Sequence, residues 1–402
     1  MPQYLAPGVY VEEVPSAIKP IAGVGTSTAG FIGAVADDVT MPLRPGRTGK
    51  KANGTTDEPA DYYPVAAAGQ PQLIDSWDQF RTRFGDGILA GNWTLAHAVY
   101  GFFNNGGGRC WVTRVVAEAP DEAPPDEALT EALDGFTAID EIALVAIPGA
   151  VSDAVQSAVL AHCENAQDRF AILDGRRTTT LTKTEIQGGA RDSSYGAIYY
   201  PWIDVGEKGA NGDPVYVPPS GHIAGVYARV DTERGVHKAP ANEVIRGALG
   251  VETLVSKQSQ AGLNPDDINV IRKFDGNITV WGAHTLAGKE DAEWRYVSTR
   301  RLFNFLRESI DEGTRWVIFE PNAPELWSKI RRNVSAFLTT VWASGALLGA
   351  TPEQAFYVRC DETTNPEEVR ELGQVVTEIG VAVVKPAEFV IFRISQWSGA
   401  TP

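Results

Sequence analysis

A multi-domain chain of α/β and α+β class, with an extended β-strand arm at each terminus, follows from three features of the sequence. From Gln72 to Tyr200 strand-like and helix-like segments alternate, the order expected of a sheet crossed by covering helices. The last third carries two long amphipathic periods of 3.6 residues, which read as helices packed on one face. Short β-branched runs stand apart near both ends, each set off by prolines, which cannot lie inside a paired strand. With 402 residues, 43% of them hydrophobic, the chain can bury more than one core. The expected division is an N-terminal arm at 1–20, an α/β region at 21–250, an α+β core domain at 251–382 and a C-terminal arm at 383–402.

In the N-terminal arm, Val9, Tyr10, Val11, Glu12, Glu13 and Val14 form a strand between Pro7-Gly8 and Pro15, with Pro15 and Pro20 as hinge positions. Gly23 to Gly33 mixes small residues with an apolar strand, so other groups can approach this backbone closely. Its glycines precede or interrupt the strand rather than linking a strand to a helix, and no phosphate-loop spacing fits them. Residues 41–63 read as a long surface loop whose Arg44, Arg47, Lys50 and Lys51 are solvated. Strands follow at Trp111–Val116, Ile142–Ile147, Phe170–Leu173 and Ala197–Tyr200. Helices between them span Thr94–Phe103, Asp126–Phe136 and Ser152–Asn165, the first stopped by Asn104-Asn105-Gly106-Gly107-Gly108. A further helix opens at Pro218–Tyr227, followed by an irregular polar segment at Gly235–Glu243.

Beyond Trp294 an amphipathic helix runs to a stop at Gly313, and Trp316-Val317-Ile318-Phe319 is expected to return as a strand. A second helix starts near Pro324. Its Leu326, Ile330, Val334, Phe337 and Val341 form one stripe, widened by Trp327, Leu338 and Trp342. Lys329 and Arg332 fall on the opposite face and Arg331 at its border, either as solvated cations or as a docking face. The chain ends on Pro386 followed by Phe389, Val390, Ile391, Phe392 and Ile394, a strand with two largely apolar faces and Pro386 as its hinge. No complementary strand follows, so its edges must be met by an earlier segment or by another chain.

The formal net charge of -16 argues against nucleic acid as a partner. Twelve acidic residues and no Lys or Arg lie between Val115 and Asp168, a solvent-facing region. Without a signal-like start or a long apolar run, the chain is expected to fold in the cytoplasm without inserting directly into a membrane. Cys110, Cys163 and Cys360 are too far apart for a disulfide framework and read as reduced thiols. His97 and His162-Cys163 lack further ligands at metal spacing. His222 and His237 lie near Asp231 and Glu233, but no nucleophile is presented on a turn beside them. No catalytic residue, metal or cofactor is therefore assigned.

The two arms and several internal phrases together resemble the sheath proteins of contractile phage tails and related contractile injection systems. The resemblance rests on Tyr4–Pro15, Gly23–Thr28, Phe102–Gly107, Gly235–Asn242, Val358–Asp361 and Val384–Phe389, which span the chain but leave the 41–63 loop and Glu118–Glu131 uncovered. It implies a structural, non-enzymatic subunit that forms a helical homo-oligomer around an inner tube protein, between a baseplate and a terminal cap protein. In such sheaths the N-terminal arm of one subunit and the C-terminal arm of another add strands to a small sheet in a third. It further implies contraction from a metastable extended state, with Lys329, Arg331 and Arg332 as candidates to face the tube. Competing readings are an α/β enzyme of unknown substrate, which no catalytic constellation supports, and another tail or baseplate component, which the paired arms disfavour.

Overall fold

Ala29–Ala34 (β1) is buried along nearly its whole length, as expected of a strand covered on both faces. In the computed structural model, which describes residues 20–50, 58–117, 123–189, 191–209, 211–288 and 290–393, it occupies the interior of a mixed sheet. The other strands of the same half are β2 (Gln72–Ile74), β3 (Cys110–Val115), β4 (Leu144–Ala146), β5 (Phe170–Asp174), β6 (Gly196–Tyr200), β7 (Ile203–Lys208), β8 (Pro214–Val217), β9 (Glu243–Val244), β10 (Gly250–Val251), β11 (Ile268–Phe274) and β12 (Asn277–Val280). Among the described residues nine strands form one sheet in the order β2-β3-β1-β4-β5-β6-β11-β12-β9. The run from β3 to β11 is parallel, while β2, β12 and β9 add antiparallel edges. A small antiparallel sheet, β10-β7-β8, lies beside it in sequence.

Crossover helices cover both faces, as parallel pairing requires. They are α1 (Trp77–Phe84), α2 (Trp93–Asn104), α3 (Asp126–Asp134), α4 (Asp153–Ala166), α5 (Lys183–Gln187), α6 (Ser220–Arg234) and α7 (Lys257–Leu263). The close approach foreseen around Gly23–Gly33 is visible on both sides of β1. A Cβ at Gly30 would stand 2.7 Å from the Phe136 ring, and one at Gly33 would stand 3.0 Å from Leu95. Helices α2 and α6 pack through small residues too: a Cβ at Gly221 would lie 2.4 Å from the Ala98 backbone, and one at Gly225 would lie 2.4 Å from Phe102 O. The four strands and three helices expected between Thr94 and Tyr200 are all present, with ends shifted by one or two residues. The 41–63 loop is tied at its base by a Leu43–Tyr62 bridge, and Arg47 pairs with Asp61 at 3.7 Å.

The chain divides into two compact units. The larger contains Val24–Arg307 together with Val383 onward, and the smaller contains Glu308–Ala382 together with Pro20–Gly23. The division thus falls within α8 (Val297–Thr314) rather than at 250/251, because β11 pairs in register with β6 and β12 continues that sheet. In the smaller unit α9 (Pro324–Ala343) buries Leu326, Trp327, Ile330, Val334, Phe337, Leu338 and Val341 on one stripe, as the sequence period requires. Short helices α10 (Pro352–Ala355) and α11 (Glu367–Glu371) flank β13 (Phe356–Arg359), which pairs antiparallel with β14 (Glu378–Val381).

One expected element is absent. Trp316–Phe319 is not a strand: Arg315–Val317 is a single 3-10 turn, closed by Ile318 N donating to Arg315 O and Glu320 N donating to Val317 O. Phe319 follows at φ +69° and is fully exposed. The 3-10 turn and the left-handed Phe319 leave no extended run there, and this local turn geometry overrides the β preference.

Candidate strand-exchange site

The smaller unit carries a sheet of only two strands among the described residues, with free edges open to a further strand. A pair of strands is marginal alone and needs either more strands or a helix behind it. Here α9 packs on β13, while the described residues supply no third strand to the β13–β14 pair. Tyr357 lies over Gly380 across the pair, where a Cβ would come within 2.1 Å of its ring. Arg359 and Glu378 form an exposed ion pair at 3.3 Å. The long connection after β13 is organised by Asn365, a buried residue that sequence reasoning missed. Its amide donates to Asp361 O and Val376 O and accepts from Val376 N at 2.6 Å, the pairing a backbone would otherwise supply. An Asn within a polar loop gave no periodic signal.

The C-terminal arm has the complementary property. Phe389, Val390, Ile391 and Phe392 are each at least 70% exposed and join no strand. The segment before them is held to the larger unit, since Lys385 Nζ donates to Ala292 O at 2.9 Å. Glu388 accepts from Asn264 Nδ2 at 2.6 Å, His284 Nε2 at 3.1 Å and Tyr296 Oη at 3.0 Å. Pro386 sits between these two attachments. Val9, Tyr10, Val11, Glu12, Val14, Pro15 and Ile394 lie outside the described residues, and Pro20 is exposed at the start of the described chain.

Lys329, Arg331 and Arg332 are all exposed on α9, Lys329 and Arg332 away from its buried stripe and Arg331 at its border. Arg331 also donates to Cys360 O at 3.2 Å, which ties the border of the basic face to the end of β13.

The groups that invited an enzymatic reading have structural environments. His97 and His222 are buried where α2 meets α6, and burial lowers them to about 4 and about 3, the second helped by its neighbour His97. His162 Nε2 lies 3.1 Å from Arg169 Nη1, and burial and that guanidinium lower it. His237 is lowered by burial and by Arg234. Asp231 is bound by Arg301 at 2.9 and 2.6 Å and by Thr26 Oγ1 at 2.6 Å, a buried lock rather than a free acid. The crevice at the carboxyl ends of β1 and β4, where the strand order reverses, is the usual ligand position in such sheets. Gly33, Ala34, Trp93, Thr94, Ile147 and Gly149 line it, and none of its described lining residues is ionisable. Nearby Asp174 is raised to about 6 by burial, against hydrogen bonds from Gly149 N and from Ser220 N and Oγ that use its oxygens. Among the described residues no group of three or more His, Cys, Asp or Glu could hold a metal ion, and no helix is long and apolar enough to cross a membrane.

A two-stranded sheet, an exposed apolar arm and a ligand crevice without ionisable lining are what a subunit built for assembly presents. Comparison with known proteins gives the same class. The phage tail sheath protein central domain matches residues 125–286, and the phage tail sheath C-terminal domain matches residues 289–396. The chain belongs to the phage tail sheath protein family and is a structural sheath subunit. It is similar to the contracted helical sheath of the anti-feeding prophage, with a TM-score of 0.73 and 30% identity over 98% of this chain and 99% of that one. It is likewise similar to the contracted sheath of an extracellular contractile injection system, PVC, with a TM-score of 0.74 and 28% identity over 99% of both chains. A prophage major tail sheath protein of Pseudomonas aeruginosa strain UCBPP-PA14 is 26% identical over 67% of this chain and 69% of its own length.

Proposed function

We propose that this subunit polymerises into a helical cylinder around an inner tube, through strands donated between chains, and contracts to drive the tube through a target envelope. The observation that carries the reading is the pairing of an unfilled two-stranded sheet with an exposed apolar arm in the same chain. Strand addition at a sheet edge satisfies both at once. Each large side chain of Phe389, Ile391, Phe392 and Ile394 buried in the joint contributes roughly 1.5 to 3 kcal/mol, and each new backbone hydrogen bond adds about 1 kcal/mol. A joint on the order of 10 kcal/mol, before ordering costs, outlasts the weaker body-to-body contacts that contraction exchanges.

Val9, Tyr10, Val11, Glu12 and Val14 supply the N-terminal strand, with Pro15 and Pro20 as its hinges. Lys329, Arg332 and the neighbouring Arg331 face carboxylates on the inner tube. Baseplate and cap proteins bound the cylinder, which assembles in the producing cell's cytoplasm, and the subunit itself catalyses no reaction. Removing residues 1–14, or 389–402, is expected to leave folded subunits with unchanged circular dichroism that form no cylinders in electron micrographs. Regular sheaths from both truncations would overturn the strand-exchange reading.

A further inference from the structure

The larger unit contains a receptor built for a single carboxylate, and Glu388 occupies it. Its three donors come from separate stretches of chain: Asn264 after α7, His284 after β12 and Tyr296 before α8. His284 is held before the arm arrives, since the Asn269 amide accepts from its N at 2.7 Å and donates to its O at 2.8 Å. On the imidazole, Nδ1 lies 3.2 Å from Asn264 O and 3.3 Å from Asp267 Oδ1, while Nε2 faces Glu388. All three neighbours can accept, so the doubly protonated ring finds an acceptor on each side. Its side chain and that of Asp267 are each only 2% exposed. The pair is therefore sheltered from the solvent that weakens surface ion pairs.

We propose that Glu388 is the fixed pivot of the C-terminal arm, a positioning residue that keeps 383–388 on its own subunit and releases the chain only from Phe389. This rests on the strand-exchange reading. A fixed pivot sets how far the donated strand reaches and which residues face which side of the acceptor sheet, because a slip of one residue exchanges the two faces. Without it, residues 383–388 would join the tether and lengthen its reach by about 20 Å. The flexing point then lies after Glu388 rather than at Pro386, which sits between two attachments.

The pivot also carries a charge signature. Burial lowers His284, but the Asp267 contact and the Glu388 charge outweigh it and, against the Arg295 guanidinium, leave the ring above its ordinary value. Burial raises Glu388, while Asn264, His284 and Tyr296 together hold it below the usual carboxylate range. The contact is complete between those two titrations. It is weakened as pH rises through that of His284, when the ring loses its charge, and again as pH falls through that of Glu388.

Hydrogen–deuterium exchange on the freshly purified full-length subunit tests this. In the native chain 383–388 should exchange more slowly than 389–393, and Glu388→Gln should raise exchange at 383–388 about tenfold or more without changing the melting temperature. After correction for intrinsic rates, native protection should fall on raising the pH through the His284 titration, and the variant should lack that dependence. Native-like protection in Glu388→Gln, or pH-independent protection in the native chain, would overturn the pivot. If that happened while truncation at 389 still abolished cylinders, the pivot alone would fail; if the truncated chain assembled, the strand-exchange reading would fail instead.

Discussion

At the scale of single residues, the contact between α2 and α6 in the larger unit is set by small side chains and two buried imidazoles. Gly101, against which the His222 ring packs, would place a Cβ 2.4 Å from that ring, so the α2–α6 contact and the burial of His222 are one structural fact. His97 Nε2 and His222 Nδ1 have no hydrogen-bond partner, and a proton on either ring would add an unpaired buried charge. Their ordinary value is 6.5 and their folded values are about 4 and about 3, so as pH falls below 6.5 the unfolded chain takes up protons that the folded chain refuses. Stability from both histidines is complete above 6.5 and is lost on acidification, at about 1.4 kcal/mol per pH unit for each. Asp174 acts in the opposite sense: raised to about 6 from 3.8, it favours the folded chain at low pH and loses that contribution as pH rises through 6. Comparing variants isolates one group, so His222→Leu is expected to flatten the slope of unfolding free energy against pH by about one proton between roughly 4 and 6.5, read from urea titrations. An unchanged slope would mean that His222 is protonated in the folded chain.

At the scale of elements, what could be read from the sequence was whatever a periodic pattern controls. The stripe from Leu326 to Val341 on α9, the buried run of β1 and the alternation from Trp111 to Tyr200 all follow from which faces are covered, and covered faces leave a period in the sequence. Trp316–Phe319 misled because its β-branched and aromatic content matches a strand, while a 3-10 turn followed by a left-handed residue leaves no period. Asn365 and the Glu388 receptor were illegible for a related reason. Asn365 is a lone polar residue bonding within its own loop, and Asn264, His284, Tyr296 and Glu388, distant in sequence, become a group only once β11, β12 and α8 are packed. The exposed arm was legible because an apolar strand without a local partner is conspicuous. Its two largest residues on one face are the ones to change: Phe389→Asp with Ile391→Asp puts two carboxylates into the proposed joint, each of which would be buried unpaired. The doubly substituted subunit should keep its native melting temperature, because both positions are exposed in the single chain, and should form no cylinders in electron micrographs. Normal assembly would place this face of the arm outside the joint.

At the scale of the whole molecule, the two units are joined by three crossings of the chain, at Gly23/Val24, Arg307/Glu308 and Ala382/Val383. On the larger unit each crossing lies near a polar lock. Thr26 and Arg301 meet on Asp231 beside the first two, and Glu388 is held beside the third. The larger unit therefore receives all three at anchored points, an arrangement suited to the proposed strand exchange. Every copy also carries a formal charge of -16, so neighbouring copies repel one another. In the proposed assembly, attraction between the α9 cations and carboxylates on the tube would work in the other direction and hold the extended state. Exposed ion pairs of that kind give about 0.2 to 1 kcal/mol each, and they are screened as the Debye length falls from about 10 Å at 0.1 M to about 3 Å at 1 M salt. Strand joints made of backbone hydrogen bonds and buried apolar groups are not weakened in that way. Raising the salt should thus loosen the grip on the tube and quiet the repulsion between subunits, and both changes favour the contracted array. Electron micrographs of particles moved from low to molar salt are expected to show fewer extended, tube-filled particles and more contracted, empty cylinders, with few dispersed subunits. Lys329→Glu with Arg332→Glu should produce the same shift already at low salt. Dissolution of the cylinders into subunits at high salt would show that charge, rather than exchanged strands, holds the array together.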